Sequence, residues 1–263
     1  MPMATALITG ASSGIGAAFA RRLAADGLDL VLVARDAGRL TQAAGDLGAK
    51  YKVRVEVLPA DLADLAACDV VGARLGDESR PIDLLINAAG FATKGAFTAV
   101  ALDREQALLD VLVRAPMRLT HAALPGMIKR CSGTVINVSS VASFLASGTY
   151  SAAKAWLTVF SESVDSQLTG TGVHVCALCP GYVHTEFHER GGFDMTGVPE
   201  WMWLDADSVV AAALRDARAG RKISIPGIQY KVLSTVARGI PRPLVRRIGA
   251  GVRVNPMAGR SKE

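Results

Sequence analysis

Short, almost wholly apolar runs alternate with longer stretches of helical periodicity along most of this chain, and that alternation fixes the fold class. Apolar runs fall at 5–9, 28–34, 53–58, 83–86, 134–138, 173–178 and 223–225. Between them, apolar residues recur at helical spacing. Ile15, Phe19 and Leu23 follow the first run, and Ala153, Leu157, Phe160, Val164 and Leu168 line a stripe over 150–168. Further helices are expected at 39–49, 62–75, 102–129 (with Pro116 inside it) and 205–219. Apolar strands separated by helices require a parallel sheet covered on both faces. The expectation is α/β: one Rossmann-like, doubly wound parallel sheet of about seven strands, with the 263 residues forming a single domain.

Composition removes several function classes. Half the residues are hydrophobic and 20% are charged, which is wrong for a disordered chain. The uncharged stretch 131–153 carries nine Ser, Thr or Asn residues, which argues against a membrane span. Residues 1–20 lack a basic start and hold Gly10, Gly14 and Gly16, unlike a secretory leader. The expected location is cytoplasmic, with Cys68, Cys131, Cys176 and Cys179 reduced. Cys176 and Cys179 sit three apart at a strand, so they face opposite sides and make no metal or redox pair. The acid between His184 and His188, Glu186, is not at the position a zinc motif requires, and their segment reads as a loop, so no metal is expected. From Arg215 onward there are twelve Lys or Arg against two acids, Asp216 and Glu263. A solvated basic surface explains this more simply than nucleic acid, which is not expected as a partner.

In such sheets ligands bind beyond the carboxyl ends of the strands, and the informative residues stand there. Thr9-Gly10-Ala11-Ser12-Ser13-Gly14-Ile15-Gly16 joins the first strand to the first helix. Its glycines allow a sharp turn, close approach of a pyrophosphate and tight helix packing, and the helix N-terminus offers unpaired N–H groups. Asp61-Leu62 follows the third run, Asn87-Ala88-Ala89-Gly90 the fourth and Ser139-Ser140 the fifth. Tyr150 and Lys154, at i and i+4, share a helix face. Pro180-Gly181, Val183 and Thr185 follow the sixth run.

In this order the motifs resemble those of the short-chain dehydrogenase/reductase family, closely over residues 4 to about 190 and loosely beyond. The resemblance implies Ser140, Tyr150 and Lys154 as catalytic residues. It implies nicotinamide cofactor contacts from Gly10, Ser12, Ser13, Gly14, Ile15, Gly16, Arg35, Asp61, Leu62, Asn87, Ala88, Ala89, Gly90, Tyr150, Lys154, Pro180, Gly181, Val183 and Thr185. Ser140 would hydrogen-bond a carbonyl or alcohol, and Lys154 would hold the nicotinamide ribose and lower the Tyr150 pKa from its ordinary value near ~10. Tyr150 would then exchange a proton with the substrate oxygen.

An acid at the end of the second strand would bind a ribose 2′-OH and repel a 2′-phosphate. This chain has Ala34 there and Arg35 next, so NADP(H) is expected over NAD(H). One departure stands out: where the family usually has an Asn, in the helix after the fourth strand, this chain has Leu112. That motivates an alternative reading, an NADP(H)-binding regulator or scaffold with weak or no catalysis.

Residues 182–203 hold Tyr182, Phe187, Phe193, Trp201 and Trp203, five of the fourteen aromatics, with Met195 and Met202 beside them. The resemblance makes about 186–204 a substrate lid, and its composition suits a carbonyl or alcohol substrate with an apolar body. Plain core cover is an equal reading of the same residues. The basic segment of about 228–263 is compatible with peripheral membrane contact, closure of the pocket, or packing on another subunit. By resemblance, the helices at 102–129 and 150–168 would build a homodimer or homotetramer.

Overall fold

The computed structural model describes residues 4–239, with side chains to 236. Seven parallel strands form one sheet: β1 (Thr5–Thr9), β2 (Asp29–Ala34), β3 (Val55–Pro59), β4 (Leu84–Asn87), β5 (Gly133–Val138), β6 (Val173–Leu178) and, at the edge, β9 (Ile223–Ser224). Their order is β3-β2-β1-β4-β5-β6-β9. The chain winds outward one way from β1 to β3, then returns to β4 on the other side of β1. The switch point, where a crevice opens, therefore lies between β1 and β4.

Alternation of side chains along each strand divides the interior into two cores. Ala6, Ile8, Leu30, Leu32, Ile86 and Ile136 face α1 (Gly14–Ala25), α2 (Ala37–Tyr51) and α8 (Ala206–Arg218). Leu7, Val31, Val33, Leu85 and Val135 face α3 (Leu65–Leu75), α5 (Ala115–Lys129) and α6 (Gly148–Gln167). Both faces of the central strands are sealed, which is why those strands read as unbroken apolar runs.

Several elements differ from the sequence reading. The helix expected over 102–129 is three pieces: α4 (Leu102–Leu109), a π-helical turn (Asp110–Arg114) and α5. Pro116 explains the break. It has no N–H for the Leu112 carbonyl four residues earlier, and its ring cannot sit in a regular turn, so the helix widens before it. The expected helix over 62–75 begins only at Leu65, because the Asp64 carboxylate accepts the Ala66 N–H and caps it there. Residues near His188, expected as loop, contain the short α7 (Phe187–Arg190). Two small strands, β7 (Tyr182–Val183) and β8 (Trp203–Leu204), pair parallel to each other outside the main sheet. Both were too short to show a period.

The last element described is α9 (Ile228–Gly239). Tyr230 and Ser234 are buried on its inner side, while Ile228, Val232, Leu233 and Val236 are exposed. Of the basic C-terminal segment, 240–263 lies outside the described residues. No described helix is long and apolar enough to cross a membrane.

Candidate active site

The glycine turn is shaped by contacts that exclude side chains. Gly10 and Gly14 have φ of +68° and +55°, the left-handed region that favours glycine. A Cβ on Gly10 would lie 2.8 Å from the Ala89 backbone, so β1 and the loop after β4 touch at this residue. A Cβ on Gly16 would lie 2.2 Å from the Gly10 carbonyl oxygen. Gly16 thus lets α1 close on the turn that precedes it. Thr9 ties the two loops together: its Oγ1 accepts the N–H groups of Ala88 (3.0 Å) and Ala89 (3.1 Å).

The start of α1 is open to an anion. The Ser13 side chain makes no capping bond, and the first turn holds no acid. By contrast, α2, α3 and α8 are closed by the carboxylates of Asp36, Asp64 and Asp205. Uncapped N–H groups and a positive helix end suit a pyrophosphate.

Across the crevice, Ser139 and Ser140 separate in role. Ser139 is buried; its hydroxyl donates to the Lys154 carbonyl (2.9 Å) and pairs with Thr158 Oγ1 (2.7 Å), pinning α6 to the end of β5. Ser140 points the other way, where its Oγ accepts the Ala142 N–H (3.1 Å) and hydrogen-bonds the Tyr150 phenol. Lys154 is 5% exposed and its Nζ donates to the Val138 carbonyl (2.6 Å). The same ammonium lies 5.7 Å from the centre of the Tyr150 ring. Strand end, serine, tyrosine and lysine therefore form one cluster at the carboxyl edge of the sheet.

The electrostatics differ from the sequence expectation. Burial pushes the Tyr150 phenol up to about 12, although the Ser140 hydrogen bond opposes it. Burial pulls the Lys154 ammonium down to about 8. Lys154 does not lower Tyr150 in the unliganded chain, because desolvation outweighs attraction and the ammonium is committed to Val138. Tyr150 consequently keeps its proton throughout the neutral range.

Leu112 sits in the π turn and is buried. A Cβ on Gly90 would lie 3.0 Å from Leu112 Cδ2 and 3.9 Å from Lys154 Nζ. Gly90 therefore packs closely on the leucine methyl, with the lysine ammonium just beyond, and a side chain there would have to push Leu112 aside.

The remaining candidate residues divide by where their side chains go. Ile15 is half-buried on α1 against the first core. Arg35 is exposed one residue past β2, and Asp61 is exposed past β3, accepting the Ala63 N–H. Leu62 is buried in the second core, so only its backbone is open to a ligand. Asn87 is buried and bridges strands, its Nδ2 donating to Asn137 Oδ1 (2.8 Å), while its own Oδ1 has no partner. The Pro180 carbonyl accepts the Val141 N–H, and Val183 is buried in β7. Thr185 reaches the turn: a Cβ on Gly14 would lie 3.4 Å from Thr185 Cβ.

Three features escaped the sequence reading. The first is the buried chain Thr120–Asn87–Asn137–Ser161, which links β4, β5 and α6. The second is Tyr230, whose ring lies so close to Gly181 that a Cβ there would be 1.8 Å from Cζ. Its Oη accepts the Tyr182 N–H (3.0 Å) and donates to the Met202 carbonyl (2.5 Å). The third is a group of charges on the rim, Arg39, Glu186 and Arg190. Over the cluster itself stands Phe187, its ring centre 5.9 Å from that of Tyr150, backed by His188, Tyr182 and Trp203.

The site fits a nicotinamide dinucleotide on structural grounds. The side-chain-free cradle at Gly10, Gly14 and Gly16 and the uncapped α1 start stand at the carboxyl edge of the sheet, the edge that also carries Tyr150 and Lys154. Among the described residues no group of three His, Cys, Asp or Glu side chains is placed to hold a metal ion.

The profile described as short chain dehydrogenase matches residues 4–192. A serine 3-dehydrogenase of Agrobacterium fabrum is 38% identical over 187 residues, 70% of this chain and 73% of its own length. A ketoacyl reductase of a Nostoc species, HetN, is 34% identical over 182 residues, 68% of this chain and 63% of its own, so the chain spans just under two thirds of that relative. Among solved structures, a short-chain dehydrogenase from Sphingobium yanoikuyae in complex with NADPH superposes with TM-score 0.83 at 33% identity, over 99% of this chain and 100% of that one. A bulky-bulky ketone specific alcohol dehydrogenase from Comamonas testosteroni superposes with TM-score 0.79 at 29% identity, over 98% of each chain. With its seven-stranded sheet, its glycine turn and the Ser140–Tyr150–Lys154 cluster, this chain belongs to the short-chain dehydrogenase family of oxidoreductases, acting on CH–OH and C=O groups.

Proposed function

We propose that the protein is an NADP(H)-dependent oxidoreductase that interconverts a carbonyl compound of apolar body with its alcohol. The observation that carries the reading is the convergence of Ser140, Tyr150 and Lys154 beside a glycine cradle free of side chains. When bound, the reduced cofactor supplies hydride to the carbonyl carbon. Ser140 Oγ holds the carbonyl oxygen, and Tyr150 Oη, protonated in the neutral range, delivers the proton to it. Lys154, held beside Tyr150 by the Val138 carbonyl, would hold the nicotinamide ribose.

Support for NADP(H) comes from the end of β2. Ala34 cannot bind a ribose hydroxyl, Arg35 is exposed beyond it, and the similar Sphingobium structure is a complex with NADPH. An apolar substrate is supported by Phe187 over Tyr150 and by the bulky-ketone specificity of the Comamonas relative. We take 186–204 as the lid of a single domain. A homodimer or homotetramer is supported by exposed Leu109, Met117 and Ile128 on α4 and α5, and by Trp156 and Val159 on α6. We take the setting as cytoplasmic, with Cys68, Cys131, Cys176 and Cys179 as thiols.

The test is a titration with NADPH and NADH, followed by turnover on a panel of ketones and aldehydes. Tighter NADPH binding with turnover removed by Tyr150→Phe is the expected result. A second reading, a cofactor-binding regulator, is favoured by Leu112, whose methyl packs at Gly90 close to Lys154; tight binding without turnover on a broad panel would select it.

A further inference from the structure

One carboxylate on the rim of the cofactor crevice lies between two guanidinium groups. Glu186 immediately precedes α7, and its Oε2 accepts from Arg39 Nη1 at 3.4 Å. The same oxygen pairs with Arg190, one turn further on. Arg190 in turn donates to Ser13 Oγ at 3.1 Å, and Thr185, next to Glu186, packs on Gly14. The segment that covers the site is thus tied by charge to both walls of the crevice, to the glycine turn through Ser13 and to α2 through Arg39.

Arg39 stands on the first turn of α2, which follows Arg35 and the capping Asp36 at the end of β2. That is the region where the 2′ position of an adenosine ribose is read. Among the described residues Arg35 has no acidic partner, whereas Arg39 is engaged by Glu186 at 3.4 Å and, more loosely, by its own turn's Asp36 at 3.8 Å. A carboxylate between guanidinium groups occupies them as a phosphate would, but with less charge and fewer acceptor oxygens.

We infer that Glu186 sets cofactor discrimination by competing with the 2′-phosphate for Arg39. The inference rests on the NADP(H) reading above. In the unliganded chain the carboxylate holds Arg39. A 2′-phosphate takes Arg39 from it, and the energy of the lost pair is subtracted from the phosphate's binding. NAD(H), which has no 2′-phosphate, leaves the pair intact and is indifferent to Glu186. Both partners are half-exposed, so the competing pair is a weak one. Its removal should be worth about two- to fivefold in affinity.

The experiment is calorimetric titration of the full chain, at low salt, with 2′,5′-ADP and with 5′-AMP, the same nucleotide without its 2′-phosphate. Glu186→Gln should tighten 2′,5′-ADP by about two- to fivefold and leave 5′-AMP unchanged. Arg39→Gln should weaken 2′,5′-ADP alone and should silence Glu186→Gln in the double variant, as a competition for one arginine requires. Equal tightening of both ligands, or a Glu186→Gln effect that survives in the Arg39→Gln background, would overturn the competition. If wild type discriminates between the ligands but Glu186→Gln changes nothing, the competition fails and the NADP(H) reading stands. If wild type binds both ligands equally, the NADP(H) reading fails and the competition falls with it.

Discussion

Replacing Lys154 by Met should stabilise the cofactor-free protein while ending its activity. Lys154 is 5% exposed, and burial pulls its ammonium from 10.5 to about 8. At ~1.4 kcal/mol per pKa unit, holding that charge inside the fold at pH 7 costs about 3 kcal/mol. Methionine fills similar space without charge. It also leaves the Val138 carbonyl without the Nζ donor now 2.6 Å away, a loss of about 1–2 kcal/mol. The net expectation is a gain of about 1–2 kcal/mol at pH 7, and the pH dependence is sharper than the magnitude. Below pH 8, Lys154 is protonated both folded and unfolded, so the cost is full and constant. Between about 8 and 10.5 the folded chain has released the proton while the unfolded chain keeps it, and wild-type stability rises with pH. Lys154→Met lacks that rise, so the gap between the proteins closes and reverses toward pH 10. Other groups titrate alike in both and cancel in the difference. Urea unfolding followed by tryptophan fluorescence at pH 7, 8, 9 and 10 measures it. A difference that is constant across that range would refute the argument that Lys154 is held charged against its surroundings.

Tyr150, with its phenol pushed up to about 12, keeps its proton in the neutral range. Carbonyl reduction in single turnovers should be nearly flat from pH 6 to 9, while alcohol oxidation, which needs the phenolate, climbs with pH; a reduction rate that falls over that range would contradict the assignment. Gly16→Ala sets a Cβ 2.2 Å from the Gly10 carbonyl oxygen, so the turn must deform. NADPH affinity should drop at least ~10-fold with a stability loss of about 1–3 kcal/mol, read by titration and thermal melt. Tyr230→Phe keeps the ring over Gly181 but leaves the Tyr182 N–H and Met202 carbonyl unpaired, which should cost about 1–3 kcal/mol and raise KM for bulky ketones more than it lowers kcat.

The sheet was legible because buried parallel strands have no polar face to obscure them: Leu7 and Ile8 enter different cores, and both must be apolar. The motifs were legible because each follows a strand and serves local geometry, as Gly10 does with its positive φ. What stayed hidden was set by distance along the chain. Nothing near Tyr230 announces that it packs on a glycine 49 positions earlier. The balance at Tyr150 was hidden for another reason. The i, i+4 spacing puts an ammonium near a phenol, but whether attraction or desolvation wins depends on how deeply both are buried and on the Val138 carbonyl that claims the lysine. The break at 110–114 was foreshadowed by Pro116, though the proline alone does not say that the chain widens rather than ends.

The single hydroxyl of Tyr230 grips both the start of β7 and the residue just before β8, so the segment that carries Phe187 over the cluster and α9, the last element described, are one mechanical part. The family profile ends at residue 192, before either Met202 or Tyr230. An engineer who grafts residues 182–204 into a relative to move its substrate range would transplant the cover without its hinge pin. The exchangeable module runs from Gly181 through α9, and recombination libraries for this scaffold should place their crossover at Pro180, before the glycine that receives the tyrosine ring.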